Sequence, residues 1–183
     1  ALEAERQGAE VRYRHEVLAM DITGDRPLVK VKNSTGEISL LEAQFVLDAS
    51  GFGRVLPRLL NLETPSNFPV RGAIFTHIQD RITSSAFDGN KILVTVHPAH
   101  DDVWYWLIPF ADGRCSLGVV AESGFLAGYP GDENKRLQTL VTEAPSLDRL
   151  LAHANWDTPS RQIVGYAANV KSLFGPGYAL LGN

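Results

Sequence analysis

Three stretches of this 183-residue sequence carry residue types that could do chemistry. In Val103-Trp104-Tyr105-Trp106-Leu107-Ile108-Pro109-Phe110 two indoles stand two residues apart. Side chains alternate across a strand, so Trp104, Trp106 and Ile108 share one face and Tyr105 and Leu107 the other, both faces apolar. Two indoles side by side make a flat, stiff wall, equally suited to a planar ligand and to core filling; composition alone favours core. The second stretch is Asp48-Ala49-Ser50-Gly51-Phe52-Gly53-Arg54-Val55-Leu56, a glycine turn between a strand and a helix. It has the outline of a dinucleotide fingerprint, but Leu56 stands where the third glycine belongs, so the match is partial. Such a turn at the carboxyl end of a sheet strand can let backbone approach a ligand, and it serves equally well as a tight connection into a helix from Val55 to Leu62. The third is His97-Pro98-Ala99-His100-Asp101-Asp102, whose types bind metals at a spacing that fits no zinc or calcium loop and where a hairpin turn is needed. No metal is assigned. No serine sits in a Gly-x-Ser-x-Gly elbow and the five histidines have no triad spacing, so hydrolase chemistry has no support.

The elements that must position these residues follow from pattern. Asp112-Gly113 between the Trp run and Arg114-Cys115-Ser116-Leu117-Gly118-Val119-Val120 is a hairpin turn signal, giving a central antiparallel hairpin. Pro109 cannot donate to a ladder and marks a strand end or bulge. Further strands are expected over 72–79 and 91–97, with no long helix before Asp132, which is the pattern of an antiparallel sheet. Asp132 caps a helix bearing Leu137, Leu140 and Val141, closed by Pro145, and Ser146 caps a second bearing Leu147, Leu150 and Leu151. The glycine-rich stretch 123–131 is expected as a mobile loop. Upstream, a helix over 1–8 ends at Gly8, a strand is expected over 10–14, and a three-stranded meander occupies 16–22, 28–32 and 38–41. Phe45-Val46-Leu47-Asp48 is expected as a buried strand of a parallel sheet. Thr64-Pro65-Ser66-Asn67-Phe68-Pro69 is a linker. A return strand is expected over 161–170, and Gly175-Pro176-Gly177 turns the chain into a last strand at Tyr178.

Composition narrows the setting. At 44% hydrophobic and 21% charged, this is ordinary globular composition. A net charge of -4 with no Lys/Arg run argues against nucleic acid and anionic membrane as partners. The single cysteine, Cys115, lies in a strand and is expected as a small buried hydrophobe. No apolar run is long enough to span a bilayer and no signal peptide is expected, so a cytoplasmic location is the default expectation. The helix at one end and the strand at the other read as cut elements, so an internal fragment is expected.

Trp104-Tyr105-Trp106-Leu107-Ile108-Pro109 matches Trp-x-Trp-x-Ile-Pro, and with it the sequence resembles the flavin-dependent halogenases, within the FAD-dependent oxidoreductases that also hold monooxygenases and geranylgeranyl reductases. The run 104–120, the strand-turn 46–51 and Gly175 to Asn183 all resemble stretches of that group. The resemblance implies an α/β plus α+β fold: a partial FAD/NAD(P)-binding, Rossmann-like layer with an antiparallel-sheet substrate domain. It implies residues 1–64 as part of the FAD-binding domain without its first glycine turn, 65–160 as the substrate domain, and 161–183 as the return into the FAD-binding domain. Asp48, Ala49, Ser50, Gly51, Gly182 and Asn183 would line the FAD site. Trp104, Trp106, Ile108 and Pro109 would wall organic substrate off from flavin. The implied reaction combines reduced FAD, oxygen and a halide, and a lysine outside this segment delivers the halogen to a small or carrier-bound organic substrate. A separate flavin reductase would be the protein partner. No catalytic residue falls within the segment, which alone is expected to be inactive and to bind FAD weakly or not at all. A reductase or monooxygenase of the same group fits the same features, and a cofactor-free binding module with an apolar pocket is the alternative of another class.

Overall fold

In a computed structural model, residues 1–85 and 87–182 are described. The elements run α1 (Leu2–Arg6), β1 (Glu16–Asp21), β2 (Leu28–Lys32), β3 (Ile38–Glu42), β4 (Val46–Asp48), α2 (Val55–Leu59), β5 (Glu63–Thr64), β6 (Arg71–Gln79), β7 (Leu93–His97), β8 (His100–Pro109), β9 (Arg114–Glu122), α3 (Ser123–Ala127), α4 (Glu133–Thr142), α5 (Pro145–Leu150), β10 (Arg161–Val164), β11 (Asn169–Val170), β12 (Phe174–Gly175) and β13 (Tyr178–Leu180). The fold is mixed α/β with mostly antiparallel sheets. It divides into two compact units, Ala1–Asn67 with Ala168–Asn183, and Phe68–Ala167.

The first unit holds the antiparallel meander β1-β2-β3, the ribbon β5-β11 and a three-stranded sheet β12-β13-β4. In the last, β13 pairs with β4 in parallel, Tyr178 beside Val46 and Leu180 beside Asp48, so the chain's end returns to the strand before the glycine turn. The hairpin β12-β13 turns through Gly177, whose φ of +72° and tight fit against Pro27 both favour glycine. A small core of Met20, Leu56 and Tyr178 holds this unit together.

The second unit is a five-stranded antiparallel sheet, order β10-β6-β9-β8-β7, with helices on one face. The expected hairpin is there: Phe110 N–H bonds Arg114 O at 2.8 Å across a turn with Gly113 at φ +79°. Tyr105, Leu107, Leu117, Val119, Leu137 and Leu140 are fully buried between sheet and helices. Each such side chain stabilises the fold by about 1.5–3 kcal/mol. Asp132 caps α4, its carboxylate accepting from Lys135 N–H at 2.9 Å, as expected of an N-cap aspartate. No helix among the described residues is long and apolar enough to cross a membrane.

Several elements differ from expectation for identifiable reasons. Residues 10–14 form no strand: Arg12 and Glu10 pair with each other in solvent, Tyr13 is exposed and Arg14 has φ +56°, so the alternation has no apolar face to bury. The strand at 46–48 is parallel as expected but not buried, since Phe45 and Leu47 point to solvent on the face away from Val46 and Asp48. The helix from Val55 stops at Leu59, before Asn61 with its φ of +52°. Within 123–131 the chain forms helix α3, because Leu126 is fully buried and Phe125 packs on the same core. Pro145 occupies the first turn of α5 and Ala144 precedes it as N-cap, so Ser146 is not the cap; proline's fixed φ and missing N–H suit that first turn. The strand expected over 161–170 is two: 161–164 pairs antiparallel to β6, and 169–170 pairs with 63–64.

Candidate functional site

In the first unit, β4 and β13 end side by side, and the turns that follow them bound one cavity of about 70 Å³. Asp48, Ser50, Gly51 and Gly182 line it with Arg54, Leu180 and Leu181, so four of the residues assigned to a cofactor converge. Ala49 is exposed in the same turn, and Asn183 lies outside the described residues. Crevices at the carboxyl ends of parallel strands are where ligands enter sheets of this kind. Gly51 (φ +53°) and Gly182 (φ +81°) adopt left-handed backbone, and a Cβ built at either would meet nothing within 4 Å. Bare backbone therefore faces open space at both turns.

Asp48 is committed inward. Its carboxylate accepts from Ser50 N–H at 2.7 Å and Leu56 N–H at 2.8 Å, while Ser50 Oγ accepts from Val55 N–H at 3.0 Å. Partial burial pushes the Asp48 carboxyl up, but the bonds from Ser50 and Leu56 outweigh it and hold it below its ordinary range. The first N–H groups of α2 are thus taken by the chain itself. These residues fit a ligand edge approached by glycine backbone and apolar side chains, not an anion seated on the helix, and the cavity is far smaller than a whole dinucleotide.

In the second unit, the sheet face without helices carries the Trp residues. Trp104, Trp106 and Ile108 are half-buried, whereas Val103, Tyr105 and Leu107 on the opposite face are buried, Tyr105 donating its hydroxyl to Leu140 O at 2.8 Å. Pro109, also half-buried, pairs with the core residue Cys115 at the strand's end and so does not share the Trp face. The two indoles have centroids 6.1 Å apart and planes inclined at 52°, so they form a folded surface and not the flat wall expected. Phe75 on β6 extends the row, 6.2 Å from the Trp106 ring. Trp106 Nε1–H donates to Ser116 Oγ at 3.0 Å. Val94 and Val96 on β7 continue this face and are mostly exposed. Beside Phe75 lies a second cavity of about 190 Å³, lined by Thr76, His77, Thr158, Pro159 and Arg161.

No protein-family model matches the sequence, and no curated protein matches it. Solved structures do. A flavoprotein/dehydrogenase from Cytophaga hutchinsonii is 34% identical with a TM-score of 0.85, over 99% of this chain and 44% of its own. The myxobacterial chondrochloren halogenase CndH, described as a new variant of FAD-dependent halogenases, is 24% identical with a TM-score of 0.79, over 99% of this chain and 42% of its own. The flavin-dependent brominase Bmp2 gives 20% identity and a TM-score of 0.79, over 99% and 45%. The chain has the fold of the flavin-dependent halogenases and their flavoprotein relatives. It spans less than half the length of these three structures.

Cys115 and His97, which lie outside these sites, are held in structural positions. Cys115 is fully buried, and burial pushes its thiol up to about 12, which leaves no thiolate for nucleophilic chemistry. His97 is buried. Its Nδ1 accepts from Ala99 N–H at 3.1 Å, so Nε2 carries the proton in the neutral ring and donates to Glu143 at 3.1 Å, while Tyr129 donates to the same carboxylate oxygen at 2.6 Å. Among the described residues, no group of three or more His, Cys, Asp or Glu could hold a metal ion. Sequence reasoning missed Phe75, Ser116 and Gly118 beside Trp106, and the bidentate pair of Arg114 with Asp157 at 2.8 and 2.9 Å that fixes the segment lining the second cavity. The spacing of Gly118 and Ser116 on the partner strand, on the same face as Trp106, was the available signal.

Proposed function

We propose that this chain is part of an FAD-dependent oxidoreductase of the halogenase type, which uses reduced FAD, oxygen and a halide to halogenate a small or carrier-bound organic substrate. The shared fold supports the flavin. The halogenase reading rests on one observation: two indoles standing partly exposed on the helix-free face of a sheet whose other face packs Val103, Tyr105 and Leu107 completely against the helices. Were they core residues, they would be on the helix side with Tyr105 and Leu107.

In this reading the turn at 48–51 and Gly182 lie along the flavin, and Asn183 is assigned to the same site. Gly51 and Gly182 present backbone, Ala49 belongs to the first turn, and Asp48 with Ser50 holds that turn in shape through Leu56 and Val55 N–H. Trp104, Trp106 and Ile108 keep organic substrate from contact with the ring, and Pro109 ends the strand that carries them. Reduced FAD, when bound, supplies the electrons that activate oxygen; the protein supplies orientation and exclusion of competing reactions. No catalytic acid, base or nucleophile is assigned within residues 1–183, and a separate flavin reductase is the proposed partner. The setting proposed is cytoplasmic.

The test is to supply the intact protein with reduced FAD, oxygen, chloride or bromide and a panel of phenolic, pyrrolic and carrier-bound substrates, and to read products by mass spectrometry. Halide-dependent halogenated product supports the reading; product formed without halide defeats it. A second reading, an FAD-dependent reductase or dehydrogenase, is favoured by the 34% identity to the flavoprotein/dehydrogenase. It expects turnover in the absence of both halide and oxygen.

A further inference from the structure

Trp106 does not stand up from the sheet. Its direct partner on β9 is Gly118, and its indole lies across that glycine to reach Phe75, which faces Gly118 from the other side on β6. A Cβ built at Gly118 would lie 2.6 Å from Trp106 Cε2 and closer still to Cζ2 and Cη2, inside any real carbon contact. The backbone of Gly118 is ordinary strand, so conformation does not demand glycine there; the ring above it does. Two residues along β9 on the same face, Ser116 Oγ accepts the indole N–H at 3.0 Å and fixes the ring's rotation. Trp104, opposite Val120, has no such floor.

We propose that Gly118 and Ser116 are positioning residues for Trp106: the missing side chain lets the indole lie flat over β9, the hydroxyl locks its direction, and together they set the depth of the substrate side of the site. The geometry stands by itself, and its consequence for product choice rests on the halogenase reading above. A side chain at 118 lifts the indole off the strand, away from Phe75 and into the space a planar substrate would occupy. Substrate size is thereby selected by a residue that touches no substrate.

The readout is the exciton couplet of the Trp104–Trp106 pair in circular dichroism, since two indoles with centroids 6.1 Å apart and inclined at 52° couple strongly. The pair signal is the component lost in both Trp104→Phe and Trp106→Phe. No ring contact joins Trp156 to either indole among the described residues. Gly118→Ala in the intact protein is expected to abolish or invert most of that signal. Ser116→Ala should weaken it, and Ser116→Thr, which keeps the hydroxyl, should restore it. If Gly118→Ala does not fold, the Ser116 pair decides alone. A folded Gly118→Ala with the parent couplet, or Ser116→Ala and Ser116→Thr alike, overturns the proposal. A shifted couplet with an unchanged range of accepted substrates supports the positioning and counts against the wall function instead.

Discussion

The two faces of the five-stranded sheet are built from the same strands and have opposite characters. On the helix side Val103, Tyr105, Leu107, Cys115, Leu117 and Val119 interdigitate with Leu126, Leu137, Leu140 and Leu147, and every one is fully buried. On the other side Phe75, Trp104, Trp106 and Ile108 are larger or equally apolar, yet only partly buried, with Val94 and Val96 mostly in solvent beside them. Apolar area that stays in water does not stabilise a fold, and a contiguous apolar patch on a monomer marks a place where something binds. One strand, β8, therefore packs the core with Val103, Tyr105 and Leu107 and, in the function proposed above, meets substrate with Trp104, Trp106 and Ile108.

This difference can be broken most forcefully from the packed side. Leu107→Ala removes a completely buried side chain and leaves a cavity, so it should cost about 2–5 kcal/mol in chemical denaturation. Trp106→Ala deletes more atoms but from a partly exposed site, and should cost clearly less than Leu107→Ala; a greater loss would make the Trp face a core face. Removing the cap of the covering helix with Asp132→Ala should cost about 0.5–2 kcal/mol, since Lys135 N–H loses its acceptor. Cys115 gives a chemical version of the same contrast: with its thiol buried and pushed up to about 12, it should resist iodoacetamide at neutral pH until the protein is unfolded. Rapid labelling of the folded protein would show that the packed face opens.

The smallest expected effect concerns pH. Hydrogen bonds from Arg114 first, then Gln79, outweigh partial desolvation and hold the Asp157 carboxyl at about 2, below the ordinary value of about 3.9. A carboxyl lowered in the folded state adds stability that is complete above its unfolded value and fades as pH falls toward the folded one. Stability should thus decline between about pH 4 and about pH 2, and Asp157→Asn should flatten that part of the acid limb. An unaltered limb would mean that this pair does not contribute.

The sequence made the Trp-bearing hairpin legible because the signals there are local: dense aromatic and β-branched residues, an Asp-Gly turn and strict alternation. The meander at 16–42 and the capped helix after Asp132 were legible for the same reason. The convergence of residues 48–51 with 182 became visible through the resemblance, since nothing local relates positions so far apart. What stayed hidden depends on distant pairing: β10 closing the large sheet beside β6, Arg114 reaching Asp157, and the glycine under Trp106, which in sequence looks like a weakness in a strand. Helix α3 was hidden because its flanking glycines disguise a buried Phe-Leu pair.

The most direct test of the central claim, that the Trp face is a functional surface and not a second core, is product partition in Trp106→Ala of the intact protein supplied with reduced FAD, oxygen, halide and a substrate it accepts. The account predicts a protein that remains folded while the ratio of halogenated product to hydroxylated product and released hydrogen peroxide falls. An unchanged ratio, together with a stability loss as large as that of Leu107→Ala, would contradict it.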